Sequence, residues 1–169
     1  MVKILLIGDS RVGKTSLRKR YIGEGFQQSY TQTLGAEFST KKFRDTTITI
    51  FDLGGDPQTK IFRSQYYPGA QGILMIFDIN NRESFENLDN WFDEIRSAIN
   101  SRLRVFVLGN KDDLRQTSTD PVSEYEAYQY TQKIANELDS SVSYLSTSAL
   151  TGYNVEVAFS KLLAEIEFD

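Results

Sequence analysis

Short apolar runs alternate along this chain with longer stretches in which apolar side chains recur every three or four residues. Lys3–Ile7, Ile73–Asp78 and Arg104–Leu108 read as strands buried on both faces, with Ser141–Ser146 a weaker one, because a strand without polar alternation has to be covered above and below. Phe38–Arg44 and Thr46–Phe51 flank Asp45 and read as a hairpin, which puts one antiparallel pair into the sheet. Phe85, Leu88, Phe92, Ile95 and Ile99 share one helical face, and Val155, Ala158, Phe159, Leu162 and Ile166 share another. Asn154 stands at the expected N-cap of that last helix, and Ser123-Glu124-Tyr125-Glu126 has the form of a capping box. The alternation predicts an α/β fold, a mostly parallel sheet with helices on both faces. Arg115–Asp120 reads as an exposed polar loop, and Gln27–Gly35 and Gly54–Gln65, weakly periodic for their length, as mobile loops. No repeat, low-complexity block or linker divides residues 1–169, so one domain is expected.

Composition narrows the chemistry. The chain has no Cys and no His, which excludes disulfides, zinc clusters, thiolate chemistry and imidazole acid–base catalysis. Catalysis is left to carboxylates, Lys and Arg, hydroxyls, backbone dipoles or a hard metal ion. A formal charge of −4 gives no reason to expect a nucleic-acid surface. No apolar run spans a bilayer, the apolar start Met1–Ile7 is too short for a signal peptide, and Val2 stands where myristoylation needs Gly. The expectation is a cytoplasmic monomer without a lipid anchor in this chain, with peripheral membrane association left to a partner or to a missing tail.

Gly8-Asp9-Ser10-Arg11-Val12-Gly13-Lys14-Thr15 matches G-x-x-x-x-G-K-[ST], with a strand before it and an expected helix, Thr15–Tyr21, after it. In such a loop successive backbone N–H groups and a helix N-terminus point at phosphate oxygens. The run Ser10, Arg11, Val12, Gly13, Lys14, Thr15 and Ser16 is therefore expected to hold phosphates, with Lys14 reaching the β- and γ-phosphates and the Thr15 hydroxyl on Mg²⁺. A strand–turn–helix junction with a chance glycine pair is the plain alternative.

Asn110-Lys111-Asp112-Asp113 follows the strand that ends at Leu108, at the sheet edge where α/β folds bind ligands. A carboxylate at Asp113 accepts from both N1–H and the exocyclic amine of guanine, whereas adenine would leave it unpaired. A turn or helix cap would use the same residue types. Thr147-Ser148-Ala149 follows the last strand and offers backbone N–H groups to the guanine O6. Asp52 ends a strand before Leu53-Gly54-Gly55, placed for the outer coordination of Mg²⁺, with the Gly55 N–H toward a γ-phosphate. An acidic turn is the alternative for Asp52 alone. Four motifs in this order, each after its own strand, argue against coincidence.

With these residues and Tyr66-Tyr67-Pro68-Gly69-Ala70-Gln71-Gly72 and Glu83-Ser84-Phe85-Glu86-Asn87, the chain resembles the Ras superfamily of small GTPases, and within it the Rab branch, over almost its whole length. The resemblance implies the G-domain fold of P-loop NTPases: a six-stranded, mostly parallel sheet with one antiparallel strand, and two segments that change with the nucleotide. It implies GTP or GDP with Mg²⁺ as ligands, Phe26 edge-on to the guanine, Tyr30 closing over the nucleotide, and Thr33 on Mg²⁺ and the γ-phosphate. Asn110, Lys111, Asp113, Ser148, Ala149 and Leu150 would surround the base, and Thr15, Thr33 and Asp52 would serve the metal. Phe38, Phe51 and Tyr66 match the aromatic triad that Rab-like proteins present to effectors, although Phe51 also reads as plain sheet cover. Effector, exchange factor and activating protein are implied as partners, of unknown identity.

The carried-over catalytic set is Lys14, Thr33, Gly55 and Asp56, and there the pattern departs. Asp56, followed by Pro57, stands where the family has Gln. An ionised carboxylate is shorter, has no donor, and would sit beside a highly charged triphosphate, so slow intrinsic hydrolysis is expected. Rab-type activating proteins can supply both an Arg and a Gln in trans. Arg11 occupies a position that is usually Gly, and two roles are open to it: assisting hydrolysis in cis or loosening nucleotide binding. Leu150 stands where many relatives have Lys. The leading expectation is a GTP-hydrolysing molecular switch. Its rival is a hydrolysis-deficient, GTP-bound adaptor, while an ATP-dependent P-loop kinase is disfavoured by Asp113.

Overall fold

The computed structural model describes residues 1–25, 32, 33, 35–97 and 103–167. β1 (Val2–Ile7) lies inside a six-stranded sheet. Ile4, Leu5, Leu6 and Ile7 are all fully buried, which is why the run carries no polar alternation. Leu5 and Ile7 enter one core and Ile4 and Leu6 the other, so successive side chains serve opposite faces. β2 (Ala36–Phe43) pairs antiparallel with β3 (Thr46–Leu53). β4 (Gly72–Asp78), β5 (Arg104–Asn110) and β6 (Val142–Ser146) complete the order β2-β3-β1-β4-β5-β6, parallel at every other pairing. The expected α/β architecture, with its single antiparallel pair, is thus observed.

Beneath one face lie α1 (Lys14–Ile22) and α6 (Val155–Glu167). They contribute Leu17, Tyr21, Val155, Ala158, Phe159, Leu162 and Leu163 to the core, and Tyr21 stacks on Phe159 with ring centroids 3.9 Å apart. Removing such a ring costs about 3–5 kcal/mol. The other face carries α3 (Arg82–Glu86), α4 (Leu88–Arg96) and α5 (Glu124–Leu138). Leu88, Trp91, Phe92 and Ile95 of α4 and Ala127 and Ile134 of α5 fill that second core. The capping box is present: the Ser123 hydroxyl accepts from Glu126 N–H while the Glu126 carboxylate accepts from Ser123 N–H at 2.9 Å.

Four expectations need adjustment. The face expected for one helix is shared by α3 and α4, divided at Asn87, whose amide donates to Asp9; Ile99 lies outside the described residues. Asn154 precedes α6 with φ 55°, and its side-chain amide donates to Ser146 O. Residues Asp112–Thr117 form a 3-10 helix where a loop was expected to begin. The segment after Gly54 consists of short helical turns: a 3-10 turn (Pro57–Thr59), α2 (Lys60–Arg63) and a second 3-10 turn (Ser64–Tyr66). These turns lack apolar periodicity because each is too short to need a face. Among the described residues no helix is long and apolar enough to cross a membrane.

Candidate functional site

The parallel strands end at one edge of the sheet, and the loops that leave β1, β3, β5 and β6 meet there. Between β1 and α1 the chain wraps through Gly8–Gly13. Gly13 has φ 103°, and a Cβ on it would lie 2.2 Å from Asn110 Nδ2; conformation and space both demand glycine. The Asn110 amide donates to Val12 O at 2.9 Å, and its Oδ1 accepts from Ala149 N–H at 3.2 Å and from the Thr147 hydroxyl at 3.3 Å. One buried side chain of the Asn-Lys-x-Asp motif thereby ties the phosphate loop to the Thr-Ser-Ala loop.

Lys14 is buried, and its ammonium donates to Gly8 O and Asp9 O at 2.8 Å each. Burial pulls its pKa down to about 8, so the ammonium is poised for an anionic ligand. Asp9 puts a carboxylate into the loop expected to hold anions. Its oxygens are held from behind by Trp91 Nε1 at 2.8 Å and Asn87 Nδ2 at 2.7 Å, which turns that charge away from the loop's N–H groups. Arg11 is exposed, with φ 68°; a side chain in that left-handed region costs roughly 1–2 kcal/mol, and strain of this kind gathers at ligand-binding loops. Ser10 is exposed and Ser16 half-buried.

On the base side, Lys111 holds φ 65° and pairs with Asp78 at 2.7 Å, while Asn80 donates to Lys111 O at 3.1 Å. The buried Ser148 hydroxyl donates to Asp113 Oδ1 at 2.5 Å, orienting an exposed carboxylate. Arg20 donates to Ala149 O at 2.8 Å and to Leu150 O. Asn110, Lys111, Asp113, Ser148 and Ala149 are thus held together, with the exposed Leu150 at their margin.

At the phosphate end, the Thr15 hydroxyl donates to Asp52 Oδ2 and lies 3.3 Å from the Thr33 hydroxyl. Asp52 is fully buried, burial raises its pKa, and its Oδ1 has no hydrogen-bond partner among the described residues. An orphaned carboxylate oxygen beside two hydroxyls is a hard-oxygen donor set, and it fits Mg²⁺. Gly55 packs on the phosphate loop so closely that a Cβ would lie 2.4 Å from Ser10 N. Asp56 caps the turn that follows: its Oδ1 accepts from Gln58 N–H at 2.8 Å, and its Oδ2 accepts from the Gln32 amide at 3.2 Å. Phe26 and Tyr30 lie outside the described residues.

Arg63, buried on α2, joins Glu94 through two bonds of 2.8 Å and stacks over the Trp91 ring. It also donates to Asp56 O at 2.6 Å, so it holds the main chain beside Gly55. Sequence reading missed Arg63, Glu94, Trp91 and Arg20. Each works through a partner at least 28 residues away in the chain, so spacing carried no signal. Phe38, Phe51 and Tyr66 form a contiguous row with centroids 5.7 and 5.6 Å apart. Phe38 is 65% exposed, whereas Phe51 is half-buried, so Phe51 serves both surface and sheet cover. Ile61 and Phe62 are also exposed.

Comparison with known proteins agrees with this geometry. Residues 3–168 match the Ras family. The chain is 33% identical over 170 residues to Ras-related protein rab-11.1 of Caenorhabditis elegans, covering 98% of this chain and 77% of that protein. It is 34% identical to Ras-related protein RABA1b of Arabidopsis thaliana and to Ras-related protein Rab-11C of Dictyostelium discoideum, again over 98% of this chain and over 75% and 72% of those relatives.

Proposed function

The chain belongs to the Ras family and to its Rab branch, hence to the small GTPases, and on that premise we propose that it is a Mg²⁺-dependent guanine-nucleotide switch with slow intrinsic hydrolysis. The observation that carries the slow rate is the engagement of Asp56, both of whose oxygens accept hydrogen bonds from Gln58 and Gln32. A water-orienting group has to accept from the attacking water and donate to the phosphate. An ionised carboxylate cannot donate, and the cap to Gln58 N–H and the bond from Gln32 fix its orientation.

The remaining residues support binding and positioning. Lys14 and the N–H groups of Ser10 through Ser16 would neutralise and orient the phosphates. Asp113 would accept from guanine, with the Ala149 N–H shared between Asn110 Oδ1 and the guanine O6 and Lys111 and Leu150 flanking the ring. Thr15, Thr33 and Asp52 would hold Mg²⁺, which would supply positive charge to the phosphates. Gly55 N–H and Thr33 would meet the γ-phosphate, so that its loss frees both segments. Effectors and regulators would read that change over Phe38, Phe51 and Tyr66. Residues 1–169 would act as one domain.

Binding is tested by equilibrium titration of GDP and ADP with and without Mg²⁺. GDP binding at least a thousandfold tighter than ADP, and weakened by chelation, is the expected result. Equal affinities would remove the guanine reading.

A further inference from the structure

Helix α1 turns one face to the core, and Leu17 and Tyr21 occupy it as its length requires. Arg18 lies next to them and is buried too, its side chain only 6% exposed. Its guanidinium donates to the Ser39 hydroxyl and to Glu37 Oε2 at 2.6 Å, both on β2. Its Nε is buried with no hydrogen-bond partner among the described residues, 4.0 Å from Asp52 Oδ2. Glu37 is 53% exposed and Asp52 is not exposed at all. Solvent therefore screens the pair with Glu37, while the attraction toward Asp52 acts through the protein interior.

Asp52 faces one other cation, Lys14. Thr15 occupies Oδ2, Oδ1 has no hydrogen-bond partner among the described residues, and the Lys14 ammonium, which donates to Gly8 O and Asp9 O, attracts this carboxylate electrostatically from beyond ion-pair distance, and more strongly than Arg18 does. Among the described residues Arg18 is the one cation within ion-pair reach of this carboxylate. A guanidinium keeps its charge at every pH of interest, and a carboxylate already facing a fixed cation attracts a second one less strongly.

We propose that Arg18 is a built-in counter-ion of Asp52 that competes with Mg²⁺ for this carboxylate and so raises the Mg²⁺ concentration needed to retain nucleotide. The inference rests on the reading of Asp52 as a residue that serves Mg²⁺. Its consequence is a nucleotide complex tuned to lose Mg²⁺, and then nucleotide, more readily than a chain with an apolar residue at position 18. The fork that reaches Glu37 and Ser39 aims the guanidinium while leaving Oδ1 open.

The test measures release of a fluorescent GDP analogue from the purified protein against free Mg²⁺, and takes the midpoint of the Mg²⁺ dependence. Arg18→Met is expected to lower that midpoint at least tenfold, since one unit charge at this range changes an equilibrium about fivefold even in water and the protein interior screens it less. Arg18→Gln removes the charge yet keeps donors for Glu37 and Ser39, so it shifts in the same direction and serves if the Met variant does not fold. Arg18→Lys retains the charge and stays nearer the wild type. Glu37→Gln loosens the fork without discharging it and leaves the midpoint unchanged or higher. Midpoints for both uncharged variants at or above the wild-type value would overturn the proposal. Release from the wild type that ignores Mg²⁺ altogether would instead overturn the Mg²⁺ reading beneath it.

Discussion

The two ends of the nucleotide cleft are built on different terms. At the base end, Asn110 binds three groups from two other loops, Ser148 orients Asp113, and Arg20 holds the Ala149 and Leu150 carbonyls. That end is assembled by its own hydrogen bonds. At the phosphate end, Asp52 keeps an oxygen with no hydrogen-bond partner among the described residues, the Thr33 hydroxyl lies against that of Thr15, and Asp56 is engaged in a helix cap and with Gln32. What holds the segment after Gly54 is Arg63 with Glu94 and Trp91, from behind. On the proposed reading, the contrast teaches that recognition of the base is preorganised, whereas the groups that would meet the γ-phosphate are left partly unsatisfied and Asp56 would stand in for a water-orienting amide.

The sharpest way to break this comparison is at the base end. Asp113→Ala should weaken GDP about ten-thousandfold, because a site built around paired polar groups strongly rejects their loss, while ADP affinity stays unchanged in parallel titrations. Next comes Arg63→Ala, which leaves the buried Glu94 carboxylate with only the Tyr67 hydroxyl and the exposed Lys60; a broken buried pair costs about 3–5 kcal/mol, read by urea unfolding. Arg63→Ala combined with Glu94→Ala should recover part of that loss, and a double variant no more stable than Arg63→Ala would remove the clamp from the account. Asn110→Ala should lower stability by about 2–3 kcal/mol through the groups it leaves unpaired, and it should speed GDP release. If GDP release is unchanged, the brace between the two loops is not what preorganises the base end.

The smallest effect expected is one of pH. Burial lowers the Lys14 pKa to about 8 from its ordinary 10.5. Between those values the unfolded chain binds more protons than the empty native protein, so native stability rises with pH across the window and is flat below it. On the proposed reading, a bound phosphate would restore the charge on Lys14. Nucleotide binding at pH 8.5 should therefore take up a fraction of a proton, and affinity should fall as pH climbs above 8. Calorimetry in two buffers of different ionisation enthalpy reads the uptake, and Lys14→Met should abolish it.

Much of this was legible in the chain because its signals are local. Strand–glycine-loop–helix at residues 2–22, the capping box at Ser123 and the motif at Asn110 each rest on contiguous residues. What sequence could not show is long-range pairing: Trp91 behind Asp9, Glu94 on Arg63, Arg18 against Asp52. Charged residues on short or mixed helices read as solvated until the fold buries them. Asn87 illustrates the same point, since local periodicity continues through it while its amide is drawn to Asp9.

Single-turnover GTP cleavage with Mg²⁺, comparing the wild type with Asp56→Gln, tests the central claim most directly. The account predicts that GTP and GDP affinities change little and that the Gln variant cleaves at least tenfold faster, since an amide supplies the donor the carboxylate lacks. A wild type that cleaves as fast as the Gln variant would contradict it.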